Sequence, residues 1–311
     1  MAPVIVVGGE ALIDLILHSD GRLDAVPGGG PYNTARTIGR LGVPVAFVGG
    51  VSTDRFGRRL HHGLVTDGVD DALVTTTDRP TTLAVAELDP AGVATYRFYL
   101  DGTSATALEP GALPSMAGRT VTAVHVGTLG LVLEPLATAM EALVAAAPAD
   151  ALVMLDPNCR PSATADRDGY TARVDRLLGR ADVVKVSADD LAFLRPGLAP
   201  VDAVADLLRR GPGVVLWTDG GGAVRVVTPR GRTSIEPPRV TVVDTVGAGD
   251  AFGGGFLAGW IGARRGRAEI ASDGPLLEAV RRAIRVAAFT CTRAGAEPPT
   301  AAELVAWPVK A

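Results

Sequence analysis

The sequence predicts an α/β fold: a mostly parallel central sheet flanked by helices, with a small β lid attached. Three observations predict it. Short β-branched runs alternate along nearly the whole chain with Ala/Leu/Arg-rich stretches of helical period, which is the rhythm of βαβ units. Glycine-rich and acidic segments fall just after those apolar runs, where open parallel sheets collect their ligands. Residues 81–102 break the rhythm with two alternating stretches around turn formers, the pattern of a hairpin.

The elements follow in chain order. The opening MAPVIVVGGEALIDLIL (1–17) is apolar but has no basic n-region or small-residue cleavage site, and Glu10 and Asp14 interrupt it well short of a membrane span. It reads as a buried first strand. NTARTIGRLG (33–42) has helical period, VAFVGGV (45–51) reads as a strand, and DRFGRRLHHGLVTDG (54–68) as a helix. In the hairpin, Asp89, Pro90 and Gly92 make the turn. Val93, Thr95, Arg97 and Tyr99 then share one face, and Ala94, Tyr96, Phe98 and Leu100 the other. Large groups on both faces suit a lid; a hairpin edge packed onto the main sheet is the competing reading. Beyond it AVHVG, ALVMLD, VVKVS and GVVLWTDGG read as strands, alternating with the helical stretches PLATAMEALVAAA, RVDRLLGRA and PVDAVADLLRRG. No internal repeat or low-complexity linker separates them.

Bulk properties narrow the function. With 311 residues and 47% of them apolar, the chain can bury one large core. Thirty Lys and Arg against 34 Asp and Glu give a net charge of −4 with no block of like charge, so nucleic acid is not expected as a partner, nor a membrane. Two cysteines, Cys159 and Cys291, without CxxC spacing indicate neither a disulfide framework nor a zinc site, and the cytoplasm is the expected compartment. The four histidines lack metal-ligand spacing. Only Lys185 and Lys310 are lysines, and neither completes GxxxxGK[ST]. No P-loop lysine exists, so anion chemistry is expected from Arg, metal or backbone N–H groups.

The sharpest feature is VTVVDTVGAGDAFGGGFLAGWIGA (240–263). An apolar strand is expected to end at Asp244, followed by a glycine turn and a helix that begins near Asp250. The amides of Gly247, Ala248 and Gly249 would point outward unpaired at that helix start, an anion site made without lysine. Gly253, Gly254, Gly255, Gly259 and Gly262 each cost about 1 kcal/mol of helix propensity relative to Ala, which a close approach of the helix to the sheet would offset, with Phe252 and Phe256 as anchors. Asp250 has two readings. It is a common stabilising choice for a first helical turn, or it is a base, kept ionised and weak by the helix field; phosphoryl transfer tolerates a weak base because the hydroxyl becomes acidic late. PGGGPYNTARTIGRLG (27–42) again sets glycines before a helix, with Asn33 at its start and Asp14 in the preceding apolar run. Both side chains suit sugar hydroxyls, while Asn33 alone could equally be a helix cap.

Together these segments resemble the signatures of the ribokinase-like (PfkB) family of carbohydrate kinases. GEALID (9–14), PGGGPYN (27–33), VGGVSTDRFG (48–57), DPNCRP (156–161), VKVSADD (184–190), TDGGGA (218–223), DTVGAGDAF (244–252) and CTRAGA (291–296) occur in the family's order. The resemblance implies a ribokinase-like fold, and the division expected with it is a nucleotide-binding core of 1–10, 29–80 and 102–311 under a β lid of 11–28 and 81–101. It implies ATP and Mg²⁺ as cofactors, with a monovalent cation, usually K⁺, and a small sugar as partner. Asp14, Gly28, Gly29 and Asn33 match sugar-contacting positions, and Asp250 matches the base. Gly247, Ala248 and Gly249 match the anion hole. Thr218, Gly220 and Gly222 match the nucleotide loop, and Asp244, Val246 and Gly295 the cation site; Mg²⁺ would ride mainly on ATP phosphates and water. Ser187 and Asp190 stand where the family usually has Asn and Glu tied to Mg²⁺ and phosphate, Ile284 where an Asn often lies near adenine, and Ser52 and Thr53 replace a more usual glycine-rich pair.

DPNCRP and CTRAGA look most like the fructokinase branch, which makes fructose the first expectation and an acidic keto-sugar such as 2-keto-3-deoxygluconate, or ribose, the alternative. Arg97 on the lid and Arg160 are expected at the substrate; for Arg160 a solvated loop arginine is the equal alternative. The sequence leaves open whether two lids clasp into a homodimer. A non-catalytic sugar- or nucleotide-binding regulator on the same fold is the rival class, though it has no need for Asp250. A dinucleotide-binding oxidoreductase, suggested by VIVVGGEALID, fails because GxGxxG is not completed.

Overall fold

The computed structural model describes residues 3–88 and 94–308; the expected turn formers Asp89, Pro90 and Gly92, with Val93 and Lys310, lie outside the described residues. The opening run makes two strands rather than one. β1 (Pro3–Gly8) enters the main sheet, and β2 (Leu12–Leu17) pairs antiparallel with β3 (Leu23–Gly28) in a second sheet. Gly9 makes the break: its φ is 148°, and a side chain there would run into Pro31 at 2.3 Å.

α1 (Gly30–Arg40) leads into β4 (Val45–Ser52) and α2 (Arg55–Thr66), followed by the short β5 (Val69–Asp70) and β6 (Val74–Thr77). β7 (Leu83–Leu88) and β8 (Ala94–Tyr99) pair antiparallel, and β7 runs parallel beside β2, which completes a four-stranded sheet in the order β3-β2-β7-β8. The chain then alternates through β9 (Thr120–Gly127), α3 (Leu136–Ala145), β10 (Leu152–Asp156), α4 (Arg167–Leu178), β11 (Val183–Ser187), α5 (Ala188–Leu194), α6 (Pro200–Arg209) and β12 (Val214–Thr218). A hairpin of β13 (Val224–Thr228) and β14 (Gly231–Ile235) closes one edge. α7 (Ala248–Gly262), α8 (Asp273–Thr290) and α9 (Ala301–Ala306) finish the fold.

The main sheet runs β14-β13-β12-β11-β10-β9-β1-β4-β5, with β6 also on β4; it is parallel from β12 to β5. Alternate residues of β1 feed its two faces. Ile5 and Val7 pack with the α1, α7 and α8 side chains, and Val4 and Val6 with those of α3, α4 and α6. That is the signature of strands buried on both faces.

Two expectations about 240–263 are corrected. Residues 240–244 form no strand. Val242 and Val243 are exposed, and the amides of Val243 and Asp244 donate to the Cys291 carbonyl at the end of α8; the sheet edge is already taken by β14. The α7 glycines serve helix packing more than sheet packing. A side chain at Gly254 would lie 2.6 Å from Thr37 of α1, and one at Gly255 3.0 Å from Val286 of α8, while Gly253 alone faces a sheet residue, Met154. Two helices thus close onto α7 where a Cβ would block them, and Phe252, Phe256 and Trp260 are buried between. Burying each such aromatic contributes about 2–3 kcal/mol, which offsets the lost propensity.

Candidate active site

The parallel strands all point their carboxyl ends at one edge of the main sheet, so Gly8, Gly127, Asp156, Ser187 and Thr218 end side by side. α7 starts over this edge. Gly247 is its N-cap, at a φ of 73° that favours glycine, and a side chain there would meet Ala296 at 2.4 Å. Of the three amides expected free, that of Ala248 donates to Thr245 O at 3.2 Å. The amides of Gly247 and Gly249 have no partner among the described residues, so two of the three expected donors are free, and the Asp250 amide is free beside them.

Asp250 is buried in the first turn of α7, and its Oδ2 accepts a 2.9 Å hydrogen bond from Asn33 Nδ2. Thr34 Oγ1 donates to the Asp250 carbonyl at 3.3 Å. Asn33 is therefore not a cap, since Gly29 is the N-cap of α1. The buried Oδ1 of Asn33 has no partner among the described residues, an acceptor that a hydroxyl could fill. Burial pushes the Asp250 carboxyl above its ordinary value, with the Asn33 bond, Lys185 and Arg160 opposing. This corrects the expectation of a carboxylate held low by the helix field.

Asp14 projects from β2 toward the same volume; burial and the Asp250 charge raise it to about 6, with Arg160 opposing. Gly28 and Gly29 make room. A side chain at Gly28 would overlap Asp14 Oδ2 at 2.0 Å, and one at Gly29 would meet Glu10 O at 2.7 Å. Arg160 is half-buried, bonded by Nη1 to Asn158 Oδ1 at 2.7 Å, and near enough to act on both Asp14 and Asp250. Arg160 thus lies within electrostatic reach of both carboxylates.

Arg97 goes elsewhere. It pairs with Val85, which pairs with Leu15, whereas Asp14 pairs with Ala84, which pairs with Phe98. One residue of register separates the two faces. Phe98 and Tyr96 lie on the Asp14 face, and Arg97 lies on the opposite one, 69% exposed and 4.0 Å from Glu87. Tyr96 and Phe98, rather than the expected Arg97, share the face of Asp14.

Thr218 and Ser187 are register partners at the ends of β12 and β11. Gly220 and Gly222 form the exposed turn that follows. The Ser187 hydroxyl donates to Asp190 Oδ2 at 2.7 Å and caps α5, and Asp190 Oδ1 accepts from Cys159 N. The pair ties the 156–161 segment to α5. Asp244 Oδ1 accepts from Val246 N at 3.0 Å and Oδ2 from Gly295 N at 2.8 Å, so these three residues meet beside the start of α7. Ile284 is a core residue of α8.

Two residues were not singled out by sequence reasoning. Glu10 is buried, accepts from Gly30 N at 3.0 Å and Gly130 N at 2.8 Å, and is pushed by burial to about 8 against those bonds. It fixes the start of α1. Lys185 is buried with Nζ 2.8 Å from Asp156 Oδ2. A charged residue inside an otherwise apolar run, as in VVKVS and VGGEAL, was the available signal.

A doubly covered parallel sheet, a helix start with free amides, and a carboxylate bonded to the loop of a second glycine-opened helix define a class: phosphotransferases that act on an alcohol. Residues 3–302 match the model of the pfkB family carbohydrate kinases. The chain is 38% identical to a fructokinase of Rhizobium leguminosarum bv. trifolii over 80% of its length and 77% of the relative's. The structure of a Xylella fastidiosa fructokinase with bound ATP superposes with a TM-score of 0.90 at 28% identity, covering 97% of each chain. A double mutant of Vibrio cholerae O395 fructokinase, in its fructose, ADP and potassium ion bound form, gives 0.84 at 30% identity, covering 100% of this chain and 99% of that one. The chain belongs to the pfkB family of carbohydrate kinases. Among the described residues no helix is long and apolar enough to cross a membrane.

Proposed function

We propose that this kinase transfers the γ-phosphoryl group of ATP to a primary hydroxyl of fructose. The observation that carries the reading is the 2.9 Å bond between Asn33 and Asp250, which joins the loop suited to sugar hydroxyls with the helix start suited to phosphate in one buried volume. The similarity to fructokinases solved with ATP, and with fructose and ADP, supports the same substrates here.

In this reading Asp14 and Asn33 hold the sugar, and Asp250 accepts the proton of the attacking hydroxyl as its oxygen bonds to the γ-phosphorus. The bond from that phosphorus to the bridging oxygen breaks, and ADP leaves with the electron pair. The amides of Gly247 and Gly249 donate to the transferring phosphoryl group, whose charge spreads over its outer oxygens. Thr218, Gly220 and Gly222 hold the nucleotide, with Ser187 beside them. Asp244, Val246 and Gly295 meet beside the start of α7, and the Asp244 carboxylate is an oxygen donor suited to a hard cation; K⁺ would firm the loop. Mg²⁺ would be carried mainly on the ATP phosphates and water. A neutral sugar is favoured over an acidic one because Arg97 sits off the Asp14 face and Phe98 sits on it. ATP as donor places the reaction in the cytoplasm.

The test is a coupled assay with Mg-ATP across fructose, ribose, 2-keto-3-deoxygluconate and nucleosides, run on wild type and Asp250→Asn. We expect fructose to give the highest kcat/KM, and Asp250→Asn to lose about 10²-fold or more in turnover with ATP binding by calorimetry retained. Full turnover in the variant would remove Asp250 from the mechanism, and a flat panel would remove the kinase reading for these sugars.

A further inference from the structure

Lys185 is a cation in an apolar strand, and the phosphotransfer just described does not use it. It sits in the middle of β11 with 4% of its surface exposed. The register that pairs Leu155 with Val184 places Asp156 beside it, and the two side chains meet at 2.8 Å. Above it lies the start of α7: a side chain added at Gly249 would come within 3.2 Å of the Lys185 Nζ. The ammonium therefore lies close beside the Gly249 backbone at the start of α7, and Gly249 is what lets it approach. Asp156 Oδ1 has no partner among the described residues, so the pair is not a fully satisfied structural bridge. A buried pair of this kind is weak evidence for stability, since desolvating both ions offsets most of their attraction.

The charges around the cleft give it a role. Glu10 on the loop after β1, Asp14 on β2, Asp156 at the end of β10, Asp190 on α5 and Asp250 on α7 all bear on this region, and among the described residues Lys185 and Arg160 are the cations that answer them. Burial works against the Lys185 ammonium, but Asp156, Asp190 and Asp250 outweigh it and hold it charged. Resting on the reading of Asp250 as the base, we propose that Lys185 is a positioning residue for phosphoryl transfer: its fixed buried charge braces the start of α7 and supplies, beside the amides of Gly247 and Gly249, the positive potential that this fold lacks for want of a P-loop lysine. It acts through those amides and through Asp250 without touching substrate. Its charge does not titrate in the working range, so the effect is constant with pH and is read through the group that does titrate, Asp250.

The experiment measures kcat, KM for fructose, and the pH dependence of kcat/KM in wild type, Lys185→Met, Lys185→Arg and the double variant Lys185→Met/Asp156→Asn, with melting temperature followed in each. Wild-type turnover with fructose comes first, because its absence defeats the substrate reading whatever Lys185 does. Given turnover, Lys185→Met is expected to lose about tenfold or more in kcat, short of the loss for a directly contacting donor. Its fructose KM should stay near wild type, and the acid limb of its profile should move about one unit to higher pH because a cation near Asp250 is gone. Lys185→Arg should recover most of kcat and return the limb. The double variant leaves no uncompensated buried charge from this pair, so it is expected to fold where Lys185→Met does not, and it should keep the low kcat. A kcat and acid limb equal to wild type in whichever of Lys185→Met and the double variant folds would overturn the proposal. So would a loss of activity that only tracks a lower melting temperature and is restored in the double variant.

Discussion

Replacing Asn33 by Leu tests the central contact with little change of shape, because the two side chains are close in volume and leucine favours a helix. Asn33 Nδ2 donates at 2.9 Å to a buried carboxylate, and a hydrogen bond to a charged group contributes about 1.5–3 kcal/mol. At 1.36 kcal/mol for each pH unit, losing it should raise the Asp250 pKa by about 1–2 units. The sign is fixed by the mechanism: the working form is the carboxylate, the bond favours that form, and its loss favours the proton. The acid limb of kcat/KM against pH should therefore move about 1–2 units upward, and the rate below that limb should fall by about 10- to 100-fold. Fructose KM should rise as well, since the unpartnered Oδ1 disappears. The assay is a coupled ADP-release measurement across the pH range with fructose and Mg-ATP. An acid limb that stays in place, with the protein folded, would refute the coupling of Asn33 to the base.

Gly28→Ala places a carbon 2.0 Å from Asp14 Oδ2, so the carboxylate must swing away; steady-state kinetics should show fructose KM rising about tenfold, the scale of one lost charged hydrogen bond, with ATP KM unchanged. Arg97→Ala should leave fructose KM near wild type and Phe98→Ala should raise it, because only Phe98 shares the Asp14 face; the reverse order would put the register reading in error. Glu10 is raised from 4.5 to about 8 by burial. The unfolded chain releases this proton first as pH rises, so the stabilisation is full below about pH 4.5 and is lost through about pH 8. Glu10→Gln should flatten that part of the curve of melting temperature against pH, and an unaltered slope would assign the proton elsewhere.

The strands that carry the site were legible because they are buried on both faces, and continuous β-branched runs such as ALVMLD and VVKVS announce that burial. β13 and β14 were missed as elements since they lie at an edge, where β14 is exposed from Gly231 to Ser234 and carries no apolar alternation. The valines of 240–243 misled for the opposite reason: they look like a core strand, yet Val242 and Val243 face solvent beside the last turn of α8. Arg97 was visible as a lid residue, but the face it takes depends on how β7 registers against β2, a pairing between segments about 70 residues apart that no local period encodes. Glycine was the best guide. Gly28, Gly29 and Gly247 each stand where a side chain would collide with a site residue or a neighbouring loop, so their spacing outlined the cleft before its contents were known.

The disagreement over Asp250 shows which force governs the base. A helix start favours a carboxylate by about 0.3–1 kcal/mol at an exposed position, which is less than one pH unit. Burial disfavours the same charge by up to 3–5 units in a fully buried group. Asp250 is 8% exposed, so the second term wins and the carboxyl is raised even though it sits in the first turn of α7. The helix, Asn33, Lys185 and Arg160 set how far. A base raised above its ordinary value accepts a proton more readily than one held low. The cleft thus makes a stronger base from an ordinary aspartate by removing water, while Asn33, the buried Lys185 and the half-buried Arg160 oppose the shift. If that balance is right, removing any one of the three should move the acid limb the same way, upward in pH. Glu10, pushed by burial to about 8, is protonated below that pH, so Glu10→Gln should leave an acid limb below about pH 8 in place.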